Sequence, residues 1–274
     1  MKTAIIGCGY VGKTVARLWQ SKGFDVLVTT TSPERIEELS KVSNRVAVLK
    51  GTEEQKIEAA IADRDIVLLC VGSKRGANYR ETYLGTAQTL ASVLPRTSAQ
   101  QLIYTSTCSI YGQNTGAWIT ESMPPNPSTE NGQIIEATEQ TLLEAASPQL
   151  KVCILRLGGI YGPGRTVEDI YSRIAGKTMP GAGEEAANWV HLLDIIGAID
   201  WAQMQQLSGI YNVVQDEILT RKELIQKVCD RQNLLPVHWD GDPNAGRGRN
   251  VRLSNQKLKD TGFEFEHPTF WPKT

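Results

Sequence analysis

Gly7, Gly9 and Gly12 are spaced G-x-G-x-x-G directly behind an apolar run, Thr3 to Ile6, and ahead of an apolar-periodic stretch that reaches Leu18. That order suits the holding of a pyrophosphate. A first glycine makes the tight turn out of a strand, a second lets the backbone approach the phosphates, and a third lets helix and strand pack closely. Tyr10 and Val11, between the last two glycines, open a helix whose N–H groups and positive end face the anion. A second polar group, Thr29-Thr30-Thr31-Ser32 with Arg35 about one turn on, falls where the second strand of such a unit ends. An NAD site usually carries a carboxylate there for the ribose 2′-hydroxyl. Hydroxyls and a guanidinium stand in its place, so a 2′-phosphate meets donors and no repulsion, and NADP(H) is expected over NAD(H). The plain alternative is that Ser32 caps the next helix and Arg35 is solvated.

Alternating strands and helices must hold these groups. Strands are expected near Asp25 to Thr29, Arg45 to Leu49 and Asp65 to Cys70, with helices from Pro33 and Glu53 between them. This is the rhythm of a parallel sheet covered on both faces. Ser32 before Pro33 reads as an N-cap, and Thr52 with Gln55 as a capping box. A long helix from about Tyr79 to Leu94 and a strand from Gln101 to Thr105 follow. Gly112 to Ser128 is rich in proline and glycine and is expected to be a loop forming a cleft wall. Helix is expected over Asn131 to Ala146 and strand over Lys151 to Leu155. Beyond Leu157 the pattern becomes glycine-rich. A short helix near Val167 to Ala175, a turn at Pro180 to Gly183, a helix from Asp194 as N-cap to Gln205, and a capping box at Thr220 and Glu223 before Leu224 to Asp230 complete it. Asp240 to Arg249 reads as an irregular loop.

With 274 residues the chain suits one α/β domain, a doubly wound parallel Rossmann sheet, plus a smaller appended region. Residues 1–157 and 188–217 are assigned to the dinucleotide-binding part, and 158–187 and 218–274 to a small substrate-side region. Lys plus Arg number 29 against 30 Asp plus Glu, a net charge of −1, so no whole-chain charge favours nucleic acid or an acidic membrane. A small molecule is the expected partner. No apolar run approaches the roughly 18 residues of a membrane span, and the chain enters a strand at once, so a cytoplasmic location is expected. The five cysteines form no CxxC pair and read as buried apolar residues, with Cys8 and Cys108 the two in loops near the cleft. The three histidines are too far apart in sequence to suggest a metal motif, and no metal is expected.

Several further segments resemble the extended short-chain dehydrogenase/reductase superfamily of NAD(P)-binding epimerases, dehydratases and reductases. Tyr104-Thr-Ser-Thr-Cys-Ser-Ile-Tyr111-Gly112, Leu155-Arg-Leu-Gly-Gly-Ile-Tyr161-Gly-Pro163-Gly, Trp189-Val-His191-Leu-Leu-Asp194, Gly209-Ile-Tyr-Asn212-Val-Val and Asn250-Val-Arg-Leu-Ser-Asn-Gln-Lys257-Leu occur in the family's order. The resemblance implies that Val71, Gly72 and Ser73 cross the cofactor midway, that Thr105 and Gly158 also face it, and that Gly51 and Thr52 stand near adenine. It implies too that the family's Tyr-x-x-x-Lys pair would fall on Asn131 and Ile135, aligned through Gly132 and Glu139. Neither residue can do that work, because an amide does not titrate and isoleucine carries no charge. The family's asparagine on the preceding helix is replaced by Thr82 or a neighbour. Only the hydroxyl partner is kept, as Thr107, a pattern similar to the atypical, YeeZ-like members.

Other groups must therefore supply any proton. Thr107 can hydrogen-bond a substrate oxygen, Tyr111 and Tyr161 are phenols in cleft-like loops, and Glu121 aligns with an acid of the loop over the active site. His191 titrates near neutrality when unperturbed, although beside Asp194 it reads as tying a strand to a helix. Arg247 and Arg249 could reach an anionic substrate. Three functions fit: an NADP-dependent oxidoreductase with a non-standard active site, a non-catalytic NADP(H)-binding sensor or scaffold, and a sugar-nucleotide epimerase or dehydratase with tightly held NAD. The resemblance also implies a homodimer through the helices after the fourth and fifth strands, although Glu136, Glu139 and Gln140 on one of them argue against that interface.

Overall fold

Ile5, Ile6, Val67, Leu68 and Leu69 are almost wholly buried, as residues of strands covered on both faces must be. They belong to the central sheet of the computed structural model, which describes residues 1–73, 76–112, 114–242, 245 and 250–271. Seven strands form this sheet: β1 (Lys2–Ile6), β2 (Asp25–Thr30), β3 (Arg45–Val48), β4 (Ile66–Leu69), β5 (Gln101–Thr107), β6 (Lys151–Leu157) and β7 (Gly209–Val213). Their spatial order is β7-β6-β5-β4-β1-β2-β3. β1 pairs in parallel with β2 and with β4, so the chain leaves β1 in one direction across the sheet and returns on its other side. That reversal is the topological switch point of a doubly wound sheet, where a crevice opens outside the strands' carboxyl ends. The Rossmann expectation is met.

The chain divides into two compact units. One comprises Met1–Thr107, Ser128–Arg156 and Ile196–Tyr211, the other Cys108–Pro127, Leu157–Ile195 and Asn212–Thr274. The first has a core of sheet and helix residues that includes Ile6, Leu69, Leu90, Leu102, Tyr104 and Ile154. The second packs Tyr161, Val167, Leu224, Val228 and Phe270 together, with Trp189 edge-on to Tyr161.

Several local expectations need correction. The segment taken as a loop over 112–128 contains a strand, Asn114–Ile119, paired in parallel with Asn250–Leu253. Ile119 is buried while Trp118 is 62% exposed, the alternation of a one-sided strand. Ser32 holds the N-cap position ahead of Pro33 as expected, but of a 3-10 turn, Pro33–Arg35, that precedes the helical turn Ile36–Leu39, and its side chain makes no capping hydrogen bond. Thr52 and Gln55 form no capping box, because the helix starts at Glu54 and the Glu53 carboxylate takes the Lys50 N–H at 2.6 Å. Asp194 lies inside the helix Leu192–Met204, and its carboxylate accepts from the Glu266 and His267 N–H groups. The box at Thr220 and Glu223 forms as expected, and a second one occurs at Thr166 and Asp169. Glu139, read from sequence as a charge on the helix surface, is 3% exposed and paired internally with Arg156. Among the described residues no helix is long and apolar enough to cross a membrane.

Candidate functional site

The turn after β1 explains the glycine spacing. Gly7 has φ +89°, and a Cβ there would stand 2.8 Å from the Val71 Cα, so the turn admits only glycine. The Gly7 N–H donates to Thr29 Oγ1 at 3.0 Å and the Cys8 N–H to the Thr29 carbonyl at 2.9 Å, which fastens the turn to the end of β2. A Cβ on Gly12 would lie 3.1 Å from the Gly7 carbonyl, the close helix-to-strand approach. Gly9 differs from both. Its φ is −94° and, among the described residues beyond its chain neighbours, no atom lies within 4 Å of where a Cβ would go, so their packing does not require glycine there.

A cavity of about 500 Å³ opens over this turn, entirely within the first unit. Gly7 and Gly9 lie on its floor, Thr30, Thr31 and Arg35 at the β2 side, and Val71 and Gly72 beyond β4. Of the residues singled out from sequence as cofactor contacts, those seven line it. Tyr10, Val11, Gly12, Ser32, Ser73 and Thr105 do not. Val11 is buried, Ser73 donates its N–H to Tyr83 Oη, and Thr105 faces the Leu69 carbonyl. Gly158 lies in the second unit, where its N–H donates to the Val213 carbonyl and a Cβ would stand 2.8 Å from the Asn188 carbonyl oxygen. Its glycine is accounted for by packing.

The far wall was only partly anticipated. Lys50, Gly51 and Thr52 line the cavity opposite Asn78, Glu81, Thr82 and Thr86. The expected helix from Tyr79 is interrupted by a π-helical turn, Glu81–Gly85, before Thr86–Val93, and such turns recur at functional sites. A Cβ on Gly51 would collide with the Thr86 hydroxyl at 1.9 Å, so glycine lets the two walls close up. Thr52 donates to Glu81 at 3.5 Å across them. Lys50, Asn78 and Glu81 carried no sequence signal, because a lysine after a strand and polar residues on a helix are ordinary surface residues.

Arg35 is not freely solvated. Its Nε lies 3.0 Å from Glu38 Oε2, and Lys13 Nζ lies 2.5 Å from Glu38 Oε1. Hydrogen bonds from these two cations hold the Glu38 carboxyl down at about 2. Cys8 and Cys70 also line the cavity, but burial, with Cys70 beside it, pushes the Cys8 thiol up to about 12. At neutral pH Cys8 is a protonated, weakly nucleophilic thiol.

The candidates for proton transfer separate into two groups. Thr107 ends β5, half-buried, in the first unit. On the helix Glu130–Glu144, Asn131 is exposed and Ile135 is 1% exposed, packed into the core. Tyr111 and Glu121 belong to the second unit, where both serve Asn212. Tyr111 Oη donates to Asn212 Oδ1 at 3.1 Å, and the Asn212 N–H donates to Glu121 Oε1 at 2.7 Å. Tyr111 is fully buried, and these bonds read as structural ties. Tyr161 likewise donates to Gln215 Oε1 at 2.9 Å, with burial holding its phenol well up. Arg247 and Arg249 lie outside the described residues.

The second unit gathers two of the histidines. His191 and His267 stack with centroids 3.7 Å apart, and the ligand-type atoms of these two residues and Asp194 lie within 4.8 Å of one another. His267 Nδ1 stands 3.6 Å from Asp194 Oδ2. Two imidazoles on one tetrahedral zinc would hold their centroids about 5 Å apart, given Zn–N bonds of about 2 Å. The stacked rings cannot both aim an in-plane lone pair at one ion, so no metal centre is assigned. His191 instead accepts the Leu193 N–H on Nδ1 at 3.3 Å, tying strand to helix as its position beside Asp194 suggested. Burial, and then the neighbouring His267, push His191 down to about 4, while burial raises the Asp194 carboxyl.

Comparisons with known proteins agree with this architecture. The family pattern described as NAD dependent epimerase/dehydratase matches residues 4–213. Protein YeeZ of Escherichia coli (strain K12) is 29% identical over 272 residues, covering 97% of this chain and 96% of that protein. UDP-glucose 4-epimerase of Thermotoga maritima, solved with UDP-glucose, superposes with a TM-score of 0.80 at 20% identity, covering 97% of this chain and 94% of that one. The human epimerase family protein SDR39U1, solved with NADPH, gives a TM-score of 0.78 at 15% identity, covering 98% and 96%.

Proposed function

The chain belongs to the NAD dependent epimerase/dehydratase family, and on that premise we propose that it binds NADP(H) in the cavity over Gly7 and Gly9 and acts as an oxidoreductase on a small molecule. One observation carries the binding reading: Gly9 lines the cavity with free space where a side chain would be. A glycine that the fold does not need is explained by a ligand that comes too close for any Cβ. The helix Tyr10–Ser21 starts beside it and offers its N-terminal N–H groups to a pyrophosphate. At the β2 end the lining is Thr30, Thr31 and Arg35, with Lys50 also on the cavity wall. These donors suit a ribose 2′-phosphate, and they alone carry the choice, since solved structures of this fold hold NADPH in one case and NAD in others.

The bound dinucleotide would supply hydride transfer. This chain would supply position and hydrogen bonding, with Thr107 orienting a substrate oxygen and water delivering the proton that the absent Tyr/Lys pair would otherwise move. Calorimetric titration with NADPH, NADP+, NADH and NAD+ tests the reading, followed by a substrate screen under the nucleotide that binds.

A non-catalytic NADP(H) sensor or scaffold is the second reading. Ile135, sealed in the core where the family's lysine would stand, favours it. Cofactor binding without turnover across a broad panel of carbonyl substrates would select it. A sugar-nucleotide epimerase or dehydratase holding NAD is the third, supported by relatives such as the Thermotoga maritima enzyme and recognisable from NAD carried through purification.

A further inference from the structure

Glu38 holds two cations at once. Lys13, on the helix behind the glycine turn, and Arg35, on the cavity wall beside Thr30 and Thr31, both reach its carboxylate. A 2′-phosphate seated by Thr30 and Thr31 would bring a second anion to the same guanidinium. Phosphate and carboxylate would then share Arg35 or compete for it.

Charge decides between these outcomes. Arg35 spends only its Nε–H on Glu38 and a guanidinium has further donors, so geometry alone permits sharing. A phosphate monoester carries up to two negative charges near neutrality. Beside an ionised Glu38 the cations Lys13 and Arg35 would already be half neutralised before the phosphate arrives. We infer that Glu38 is a specificity-determining residue, whose carboxylate neutralises Lys13 and Arg35 and so weakens the binding of 2′-phosphorylated dinucleotides relative to unphosphorylated ones. The inference rests on the placement of the adenosine ribose at the β2 end in the proposed function. Its effect is bounded, because Glu38 is 44% exposed and Arg35 27%, and solvent screens ion pairs of that kind. Glu38 thus trims the preference for NADP(H) and does not abolish it.

Glu38→Gln tests this directly. The amide keeps an oxygen for the Arg35 Nε–H, removes the charge and gives up the second acceptor that Lys13 uses, and the site is exposed enough to tolerate the change. Affinity for NADPH and for adenosine 2′,5′-bisphosphate should rise by about three- to tenfold. NADH and adenosine 5′-monophosphate should change less than about twofold. Adding Arg35→Ala should erase the gain.

Equal NADPH affinity in wild type and variant overturns the inference and leaves the NADP(H) reading standing. Weaker NADPH binding by the variant also overturns it and makes Glu38 an aid to phosphate binding. A wild type that binds only NADH, with NADPH binding gained in the variant, upholds the inference and overturns the cofactor preference. Failure of both proteins to bind any of the phosphorylated probes overturns the two together.

Discussion

Glu139 and Arg156 form a buried ion pair with Nη2 and Oε2 2.6 Å apart, and neither side chain is more than 3% exposed. The Ser106 hydroxyl donates a further hydrogen bond to Glu139 Oε1. Glu139 lies on the same helix as Asn131 and Ile135 at four-residue spacing, so all three share a face. The helix keeps an ionic anchor to β6 on the face where Asn131, an exposed amide, and Ile135, a core hydrophobe, stand at the positions that the resemblance matches to a tyrosine and a lysine.

Glu139→Gln should therefore be costly. It leaves the Arg156 guanidinium buried without its counter-charge, a loss of about 3 to 5 kcal/mol. The double variant Glu139→Met with Arg156→Met should be clearly more stable than Glu139→Gln alone. Urea denaturation of the three proteins measures this; a cost below about 1 kcal/mol for the single change would contradict a buried, fully engaged pair.

Restoring the missing lysine should not be simple. Ile135 is 1% exposed, so Ile135→Lys places an unpaired ammonium in the core and should destabilise the protein by about 3 kcal/mol or more at neutral pH. The buried ammonium would have a pKa depressed below its unfolded value of about 10.4. The unfolded state then binds more protons than the folded state between those two values, so stability should recover as pH rises towards 10. Denaturation at pH 7 and pH 9.5 measures the recovery, and an equal deficit at both would point to steric overpacking.

The stacked imidazoles predict a specific pH dependence. His191 titrates at about 4 in the fold against 6.5 when free. Between these values the unfolded chain binds more protons, so the His191 contribution to stability is present above about pH 6.5 and is lost as pH falls towards 4. The raised Asp194 carboxyl acts in the opposite direction, so the effect is read as a difference. His191→Phe should lose less thermal stability between pH 7 and pH 5 than wild type does, and identical losses would show that the ring is not held neutral.

Local signals made the glycine turn legible: three glycines, a strand before and a helix after leave few other structures. The end of β2 could be read the same way, and so could the sheet, whose buried strands are nearly continuous apolar runs. Capping proved less legible at Thr52, where Glu53 offers a competing carboxylate one residue away. The strand at Asn114–Ile119 could not be seen, because its partner lies at Asn250–Leu253 and no short-range pattern announces it. The same distance in sequence hid the stacking of His191 on His267. An acid one turn beyond Arg35 reads in sequence like any solvated helix face, and nothing local announces that Glu38 also captures Lys13. The motifs around Tyr111 and Glu121 do not reveal that the Tyr111 hydroxyl and Glu121 Oε1 both bond to Asn212.

Gly9→Ala decides whether the cavity over Gly9 is a dinucleotide site, because among the described residues nothing beyond the chain neighbours lies within 4 Å of the added methyl. Wild type and variant, freed of any carried nucleotide, would be unfolded in urea and titrated calorimetrically with NADPH, NADP+, NADH and NAD+. Their stabilities should agree within about 1 kcal/mol, wild type should bind NADP(H) more tightly than NAD(H), and the variant should lose at least about tenfold in affinity, or 1.4 kcal/mol. Wild type that binds none of the four, or a folded variant that binds as wild type does, would contradict a dinucleotide site there.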